Sequence, residues 1–166
     1  MTEVQLATRD DCIYAAGLFD GEGSAVLTVK YVKHRRLAEK QYRSVVLVAS
    51  ISNTYLPVLL WVRERWGGYV TSLKRTRAQD RKPAFEWHTS SRNAAEVLNA
   101  IRPFVKIKHQ QVENALAFQA TKHYRGGKPT SDVEWQAAMS FLRLQRTLNG
   151  NPQADKDRIS EAHGDQ

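Results

Sequence analysis

The feature that most constrains this chain is a glycine-rich helix end that carries two carboxylates, the segment AAGLFDGEGS at residues 15–24. Glycine inside a helix costs about 1 kcal/mol relative to alanine, so Gly17 and Gly21 require a reason. Small residues four positions apart allow two helices to pack backbone against backbone. Two copies of this helix placed side by side would bring two Glu22 carboxylates close together.

The two acids of this segment have two interpretations. Carboxylates held close together, with a backbone carbonyl, are hard oxygen ligands that suit Mg²⁺, and two metal ions that clamp a phosphodiester promote its hydrolysis. Alternatively, Asp20 and Glu22 simply end the helix, although acids at a helix C-terminus oppose its dipole. The residues alone leave both interpretations open.

Charge is the first indication of a partner. The 166 residues include 25 Lys and Arg against 17 Asp and Glu, which gives a net charge of +8 and a pI near 9.8. A basic chain favours polyanions, with nucleic acid first and an anionic membrane surface second. The plainer interpretation of the charge is solubility.

Length and composition predict an ordinary globular protein. The apolar fraction of 42% and the charged fraction of 25% exclude a wholly disordered chain. We expect one domain over residues 1–150 and a polar, flexible tail at 151–166. No apolar run approaches the ~20 residues of a membrane span, and no secretory leader is visible. The single cysteine, Cys12, excludes an internal disulfide, so we expect an intracellular protein, in an organelle or a prokaryotic cytoplasm.

Apolar periodicity predicts the element order α-β-β-α-β-β-α followed by two further helices. The sheet is expected to be antiparallel with helices on one face, which makes the fold class α+β. Cap and stop residues set the expected boundaries. These are a helix from Thr8 or Asp10 to about Phe19, strands 24–32 and 42–51, a helix capped by residues 52–54 and ending at Gly67, strands 69–75 and 84–89, and helices 91–101, 108–123 and 132–148.

The spacing A-G-L-F-D-G-E-G within residues 15–23 resembles the signature of the LAGLIDADG homing endonucleases. The chain departs from it with Ala for the first Leu, Phe for Ile and Glu for the second Asp. Residues 103–111, PFVKIKHQQ, resemble the family's segment that enters the next helix. The predicted αββαββα order is also that of the family's core.

This resemblance implies a site-specific endonuclease that makes Mg²⁺-dependent double-strand cuts in a long, near-palindromic DNA site. Mn²⁺ or Ca²⁺ are alternative ions, short 3′ overhangs are the implied product, and an intron is the implied origin of the gene. A single motif implies a homodimer. The resemblance implies neither a membrane nor a small-molecule substrate as a partner. The implied dimer interface consists of Ala16, Gly17, Asp20 and Gly21, with Asp20 as supporting structure rather than a metal ligand.

The resemblance also implies the catalytic residues. Glu22 would bind the metal together with the carbonyl of Gly21. Lys108 matches the family's basic residue near the scissile phosphate, and Lys106 is the neighbouring alternative. Asn53, or Ser52 beside it, lies where family members carry a polar residue that orders the attacking water.

The sheet would lie in the DNA major groove, which is wide enough for a β-ribbon. Side chains alternate between the two faces of a strand, so one set of first-strand side chains is expected to face the DNA. Basic residues in the connectors between strands are added to this set. Val26 and Trp87 are expected to contact thymine methyl groups. The predicted DNA-binding residues are Ser24, Val26, Thr28, Lys30, Val32, His34, Arg35, Arg36, Arg43, Ser44, Ser50, Lys74, Arg75, Arg77, Trp87 and Lys106.

Two other functions remain open on the same fold. An RNA-splicing maturase, or a DNA-binding regulator, would keep the basic sheet without cleaving. Both predict binding that is insensitive to Glu22→Gln and no strand cleavage. The presence of Glu22 and Lys108 favours the endonuclease.

Overall fold

The computed structural model describes residues 6–33, 41–73, 82–123 and 129–150. Their order matches the sequence prediction and confirms the α+β class. The elements are α1 (Arg9–Glu22), β1 (Gly23–Lys33), β2 (Gln41–Asn53), α2 (Leu56–Trp66), β3 (Tyr69–Leu73), β4 (Ala84–Ser90), α3 (Ser91–Ile101), α4 (His109–Ala120) and α5 (Asp132–Leu148).

Helix boundaries follow local capping chemistry. Thr8 and Asp11 form a capping box at the start of α1, and Ser131 and Glu134 form the predicted one at the start of α5. Helix α1 extends beyond the predicted end at Phe19 to Glu22, because Gly21 is tolerated within the last turn. Helix α4 is shorter than predicted at both ends.

The four strands form one antiparallel sheet in the order β1-β2-β4-β3. Gly23 pairs with Ile51, and Ile51 pairs with Trp87. Because successive side chains alternate between faces, one face of the sheet carries the buried core residues and packs against the helices. We call the opposite face the outer face. Its side chains include Ser24, Val26, Thr28 and Lys30 of β1; Ser44, Val46, Val48, Ser50 and Ser52 of β2; Tyr69 and Thr71 of β3; and Glu86, His88 and Ser90 of β4.

Two residues predicted to contact DNA lie on the helix side of the sheet instead. Trp87 is fully buried, and its Nε1 donates to the Gly67 carbonyl at 2.7 Å. Arg43 shares the register of the buried β2 residues, stacks 4.4 Å from the centre of the Trp135 ring and lies 3.6 Å from the Asp132 carboxylate. The prediction for Trp87 was wrong because the short β4 hid its register. Arg43 is exposed on the helix side, and its contact with DNA stays a prediction.

Helix α5 is joined to the edge of β1 by a buried polar cluster. Gln145 is 1% exposed, and its Nε2 donates to the carbonyls of Ala25 at 2.7 Å and Gln111 at 3.2 Å. Its Oε1 accepts from Asn114 Nδ2 at 2.7 Å. Asn149 Nδ2 also donates to the Ala25 carbonyl, at 2.9 Å. The cluster therefore fixes α4 and α5 against the first residues of β1.

Among the described helices, none is both long enough and apolar enough to cross a membrane.

Replacement of Gln145 by alanine is expected to lower the free energy of unfolding by about 2–3 kcal/mol. The change removes three hydrogen bonds and leaves buried polar groups without partners. Urea unfolding followed by circular dichroism measures the effect. Gln136→Ala, on the exposed side of the same helix, is the control and is expected to stay within about 0.5 kcal/mol of wild type. Equal stabilities of the two variants would contradict the role given to the cluster.

Candidate active site at the end of helix α1

The candidate site lies where α1 ends and β1 begins without an intervening loop. A β-carbon added to Gly23 would overlap the Phe19 side chain, so only glycine fits this junction. Glu22, the last residue of α1, is exposed, and so is Gly21. The final carbonyls of a helix have no partner within the helix. The junction thus presents a carboxylate and free carbonyl oxygens together at the surface.

Asp20 holds a distant segment against this junction. Its carboxylate accepts hydrogen bonds from the backbone N–H groups of Lys106 at 2.7 Å, Ile107 at 3.1 Å and Lys108 at 3.0 Å. Three successive N–H groups that converge on one carboxylate fix the path of the chain before α4. Asp20 therefore supports the structure of its own chain.

Lys108 is brought to the end of α1 by this contact. Its Nζ donates to the carbonyls of Phe19 at 3.1 Å and Gly23 at 2.5 Å. A cation at a helix C-terminus complements the dipole, so the ammonium group caps α1. An ammonium carries three N–H donors, and these two bonds leave one of them over.

Burial and charge act in opposite directions on these two side chains. Partial burial works to raise the pKa of Asp20, but the backbone hydrogen bonds from residues 106–108 and the charge of Lys108 hold it below its ordinary value. Burial lowers the pKa of the Lys108 ammonium, while the charges of Asp20 and Glu22 oppose that effect. Lys108 is therefore within electrostatic reach of the Glu22 carboxylate.

The donor atoms at the junction suit a hard cation. No group of three or more His, Cys, Asp or Glu side chains within the described ranges is arranged to hold a metal ion. The chain by itself offers the exposed Glu22 carboxylate and the carbonyl of Gly21, which are oxygen donors of the kind that Mg²⁺ and Ca²⁺ prefer. Mg²⁺ commonly keeps several waters and binds only one or two carboxylates together with substrate phosphates, so this open pair of donors fits it.

The residue predicted to order the attacking water is engaged locally. Asn53 shares the inner-face register of β2, and its Oδ1 accepts from the backbone N–H of Tyr55 at 2.8 Å. This turn replaces the side-chain cap predicted for α2. The N-cap residue of α2, Tyr55, makes no side-chain capping hydrogen bond. Ser52 lies on the outer face, where its hydroxyl donates to Glu86 at 3.3 Å. Of the two alternatives, Ser52 is therefore the better placed.

One side of α1 is left open by the rest of the chain. A β-carbon added to Gly17 or Gly21 would meet nothing within 4 Å, and Ile13 and Tyr14 are 41% and 57% exposed. Ala16, in contrast, is completely buried in the core of its own chain, so its assignment to a dimer interface was wrong. The periodicity of α1 predicted a small-residue stripe but did not show which side faced the core.

The outer face carries six of the seven remaining predicted DNA-binding residues whose side chains the structure describes. Its register includes Ser24, Val26, Thr28, Lys30, Ser44 and Ser50. Lys106 is exposed beside Asp20. The side chain of Val32 and the predicted contacts His34, Arg35, Arg36, Lys74, Arg75 and Arg77 lie outside the described residues, as does the tail 151–166.

Sequence reasoning missed the outer-face side chains of the second hairpin. Among them, Tyr69, Thr71, Glu86, His88 and Ser90 share that face with Ser50 and Ser52 through the β2–β4–β3 register. Alternation within β4 was the available signal, since Ala84 to Ser90 contains polar residues at every second position after Ala84.

Asp20→Asn is expected to lower the free energy of unfolding by about 1–3 kcal/mol at neutral pH. An amide offers one acceptor oxygen where the carboxylate offers two, and its NH₂ faces backbone donors. Because the folded-state pKa of Asp20 is depressed, its contribution is complete above the unfolded pKa and is lost as pH falls through the folded value. The difference between wild type and variant should therefore shrink below about pH 4. Denaturant unfolding at a series of pH values measures this difference in the free energy of unfolding. Asp10→Asn, at an exposed position, is the control. A difference that did not change with pH would contradict the structural role given to the Asp20 carboxylate.

No family model matches the sequence, and the curated proteins include no detectable relative. Comparison of the fold with solved structures gives clear matches. The group I intron-encoded homing endonuclease I-CeuI, solved with DNA, has 16% identity over 92% of this chain and 77% of its own, with a TM-score of 0.62. The homing endonuclease I-TnaI has 17% identity over 95% and 99% of the two chains, with a TM-score of 0.59. I-CvuI, solved with its target in the presence of Ca, has 14% identity over 85% and 81%, with a TM-score of 0.58. The family resemblance is thus confirmed at the level of the fold, and the chain has the fold of the LAGLIDADG homing endonucleases.

Proposed function

We propose that this protein is a site-specific DNA endonuclease that acts as a homodimer and uses a divalent cation such as Mg²⁺. The observation that carries the proposal is the junction of α1 and β1, where an exposed carboxylate stands beside an ammonium group held by two backbone carbonyls. The outer face of the sheet continues directly from this junction. Complexes with DNA are described for the neighbours I-CeuI and I-CvuI, the latter in the presence of Ca or Mg, and DNA binding with a divalent cation is extended here to this chain.

Each side chain of the site has a separate task in the proposed reaction. Glu22, with the carbonyl of Gly21, holds the divalent cation, which supplies Lewis-acid stabilisation of the phosphodiester and activation of water. The remaining N–H of Lys108 donates to a phosphate oxygen and stabilises charge that develops there. Asp20 acts through the backbone by keeping Lys108 at the end of α1. Ser52 or Asn53 orders the attacking water.

The open side of α1 supports the homodimer. Glycine inside a helix is unfavourable, and contacts within one chain do not account for Gly17 or Gly21. Close packing of two α1 helices does account for them. In a two-fold dimer each copy reads one half of the target, so the target is expected to be palindromic or nearly so. Short 3′ overhangs and an intron origin belong to the same proposal.

Glu22→Gln is expected to reduce double-strand cleavage by at least about 100-fold and to leave DNA affinity at fixed salt largely unchanged. The amide removes the charge that binds the cation but barely alters shape. Cleavage of a pool of palindromic duplexes in Mg²⁺, with sequencing of the cut ends, measures activity and defines the overhang. Glu64→Gln, an exposed residue of α2, is the charge-matched control. Specific binding without cleavage by the wild-type protein would favour the regulator, and preference for a structured RNA would favour the maturase.

Gly17→Leu is expected to separate the dimer while each chain still folds. The leucine enters open space in one chain but overpacks the contact between two α1 helices, at a cost of about 1–3 kcal/mol. This corresponds to a roughly 5- to 150-fold weaker dimer. Light scattering across protein concentration measures mass, and circular dichroism checks the fold. Ala137→Leu, at an exposed position of α5, should leave the dimer intact. An unaltered dimer in Gly17→Leu would rule out this interface.

A further inference from the structure

A carboxylate lies on the inner strand β4 of the outer face, at the level of the candidate active site. Glu86 of β4 is paired with Ser52 of β2 on one side and with Thr71 of β3 on the other. We call these three residues the Glu86 row. Ser52 follows Ile51, which pairs with Gly23. The Glu86 row is therefore level with Glu22, at the end of the sheet nearest the proposed cleavage site.

The carboxylate is half-buried and oriented by a single polar contact. The Ser52 hydroxyl donates to Oε2 of Glu86 at 3.3 Å. Within the described parts of the chain, no Lys, Arg or His forms an ion pair with Glu86, whereas Asp11, Glu113, Asp132 and Glu134 all have such partners. None of the described residues donates to Oε1 of Glu86, which can therefore accept from an external donor.

A carboxylate on this face is costly for DNA affinity unless the DNA supplies a donor. The protein carries a net charge of +8, and neutralisation of phosphates supplies most of the sequence-independent affinity of such proteins. A negative charge on the same face repels those phosphates. The donors that DNA offers in the major groove are the amino groups of cytosine and adenine, since guanine and thymine present only acceptor atoms there.

Cytosine is the better match of the two bases. Its N4 amino group is a donor with no acceptor atom beside it in the major groove, whereas the N6 amino group of adenine lies next to the N7 acceptor. The second oxygen of a carboxylate would face that N7 unfavourably. A glutamine at the same position reverses the preference, because its amide matches both N6 and N7 of adenine.

We propose that Glu86 is a specificity-determining residue that accepts a hydrogen bond from the N4 amino group of one cytosine in each half-site, close to the cut. The hydroxyl of Ser52 orients the carboxylate for this contact. The inference rests on the proposed DNA-binding function of the outer face, and it adds the identity of a base that the face reads.

Selection of bound duplexes from a pool with randomised half-sites tests this inference. The full-length chain is used with Glu22→Gln in every sample, so that binding is measured without cleavage. We expect a preference for cytosine of about tenfold at one inner position of each half-site. Adding Glu86→Gln should change that position to adenine and leave the others unaltered. Glu96→Gln, an exposed residue of α3 on the helix side, makes the same change in charge and should alter no base preference.

Ser52→Ala provides a second variant that retains the carboxylate. We expect it to weaken the cytosine preference at the same position by several-fold without replacing it by another base. The inference is overturned if the parent protein prefers no cytosine near the cut, or if Glu86→Gln binds specifically with unchanged preferences. It is also overturned if Glu86→Gln unfolds and Ser52→Ala leaves every preference intact. Absence of sequence-specific binding in the parent protein would overturn the proposed function itself, a result separable from these.

Discussion

The carboxylate of Asp20 accepts three consecutive backbone N–H groups, and the geometry of the candidate site depends on that contact. It joins the last turn of α1 to a segment more than eighty residues later in the chain. Lys108 reaches the carbonyls of Phe19 and Gly23 only because its own backbone is held there. The partly buried carboxylate of Asp20 thereby joins two separate segments into one charged surface, on which the Glu22 side chain is exposed.

The same junction explains why the motif is rich in glycine and acid. Gly23 lets the chain pass from helix to strand directly against Phe19. Asp20 and Glu22 share the helix end, yet one carboxylate is saturated by backbone donors and the other is exposed. Environment, rather than residue type, gives the two acids different roles: Asp20 supports the structure, and Glu22 is available to an ion.

Element order and fold class could be predicted from the sequence because the apolar periods and the capping signals agree over most of the chain. The capping box at Ser131 is one such signal. Strand register was less accessible, since residues 45–49 in the centre of β2 are apolar on both faces. This is why Arg43 and Trp87 were placed on the outer face and Glu86 was overlooked. The side of α1 that faces the core, which decides between Ala16 and Gly17, also depends on tertiary packing that a small-residue stripe does not encode.

The attachment of α5 to β1 limits the pairing of β1 with a strand of another chain. Strand β1 is at the edge of the sheet, and edge strands offer free carbonyl and N–H groups to any other extended chain. At Ala25 the edge carbonyl is already occupied by the amides of Gln145 and Asn149. An added strand would therefore have to displace α5 at the point nearest the candidate site. Helix α5 thus protects this edge against β-sheet extension and aggregation.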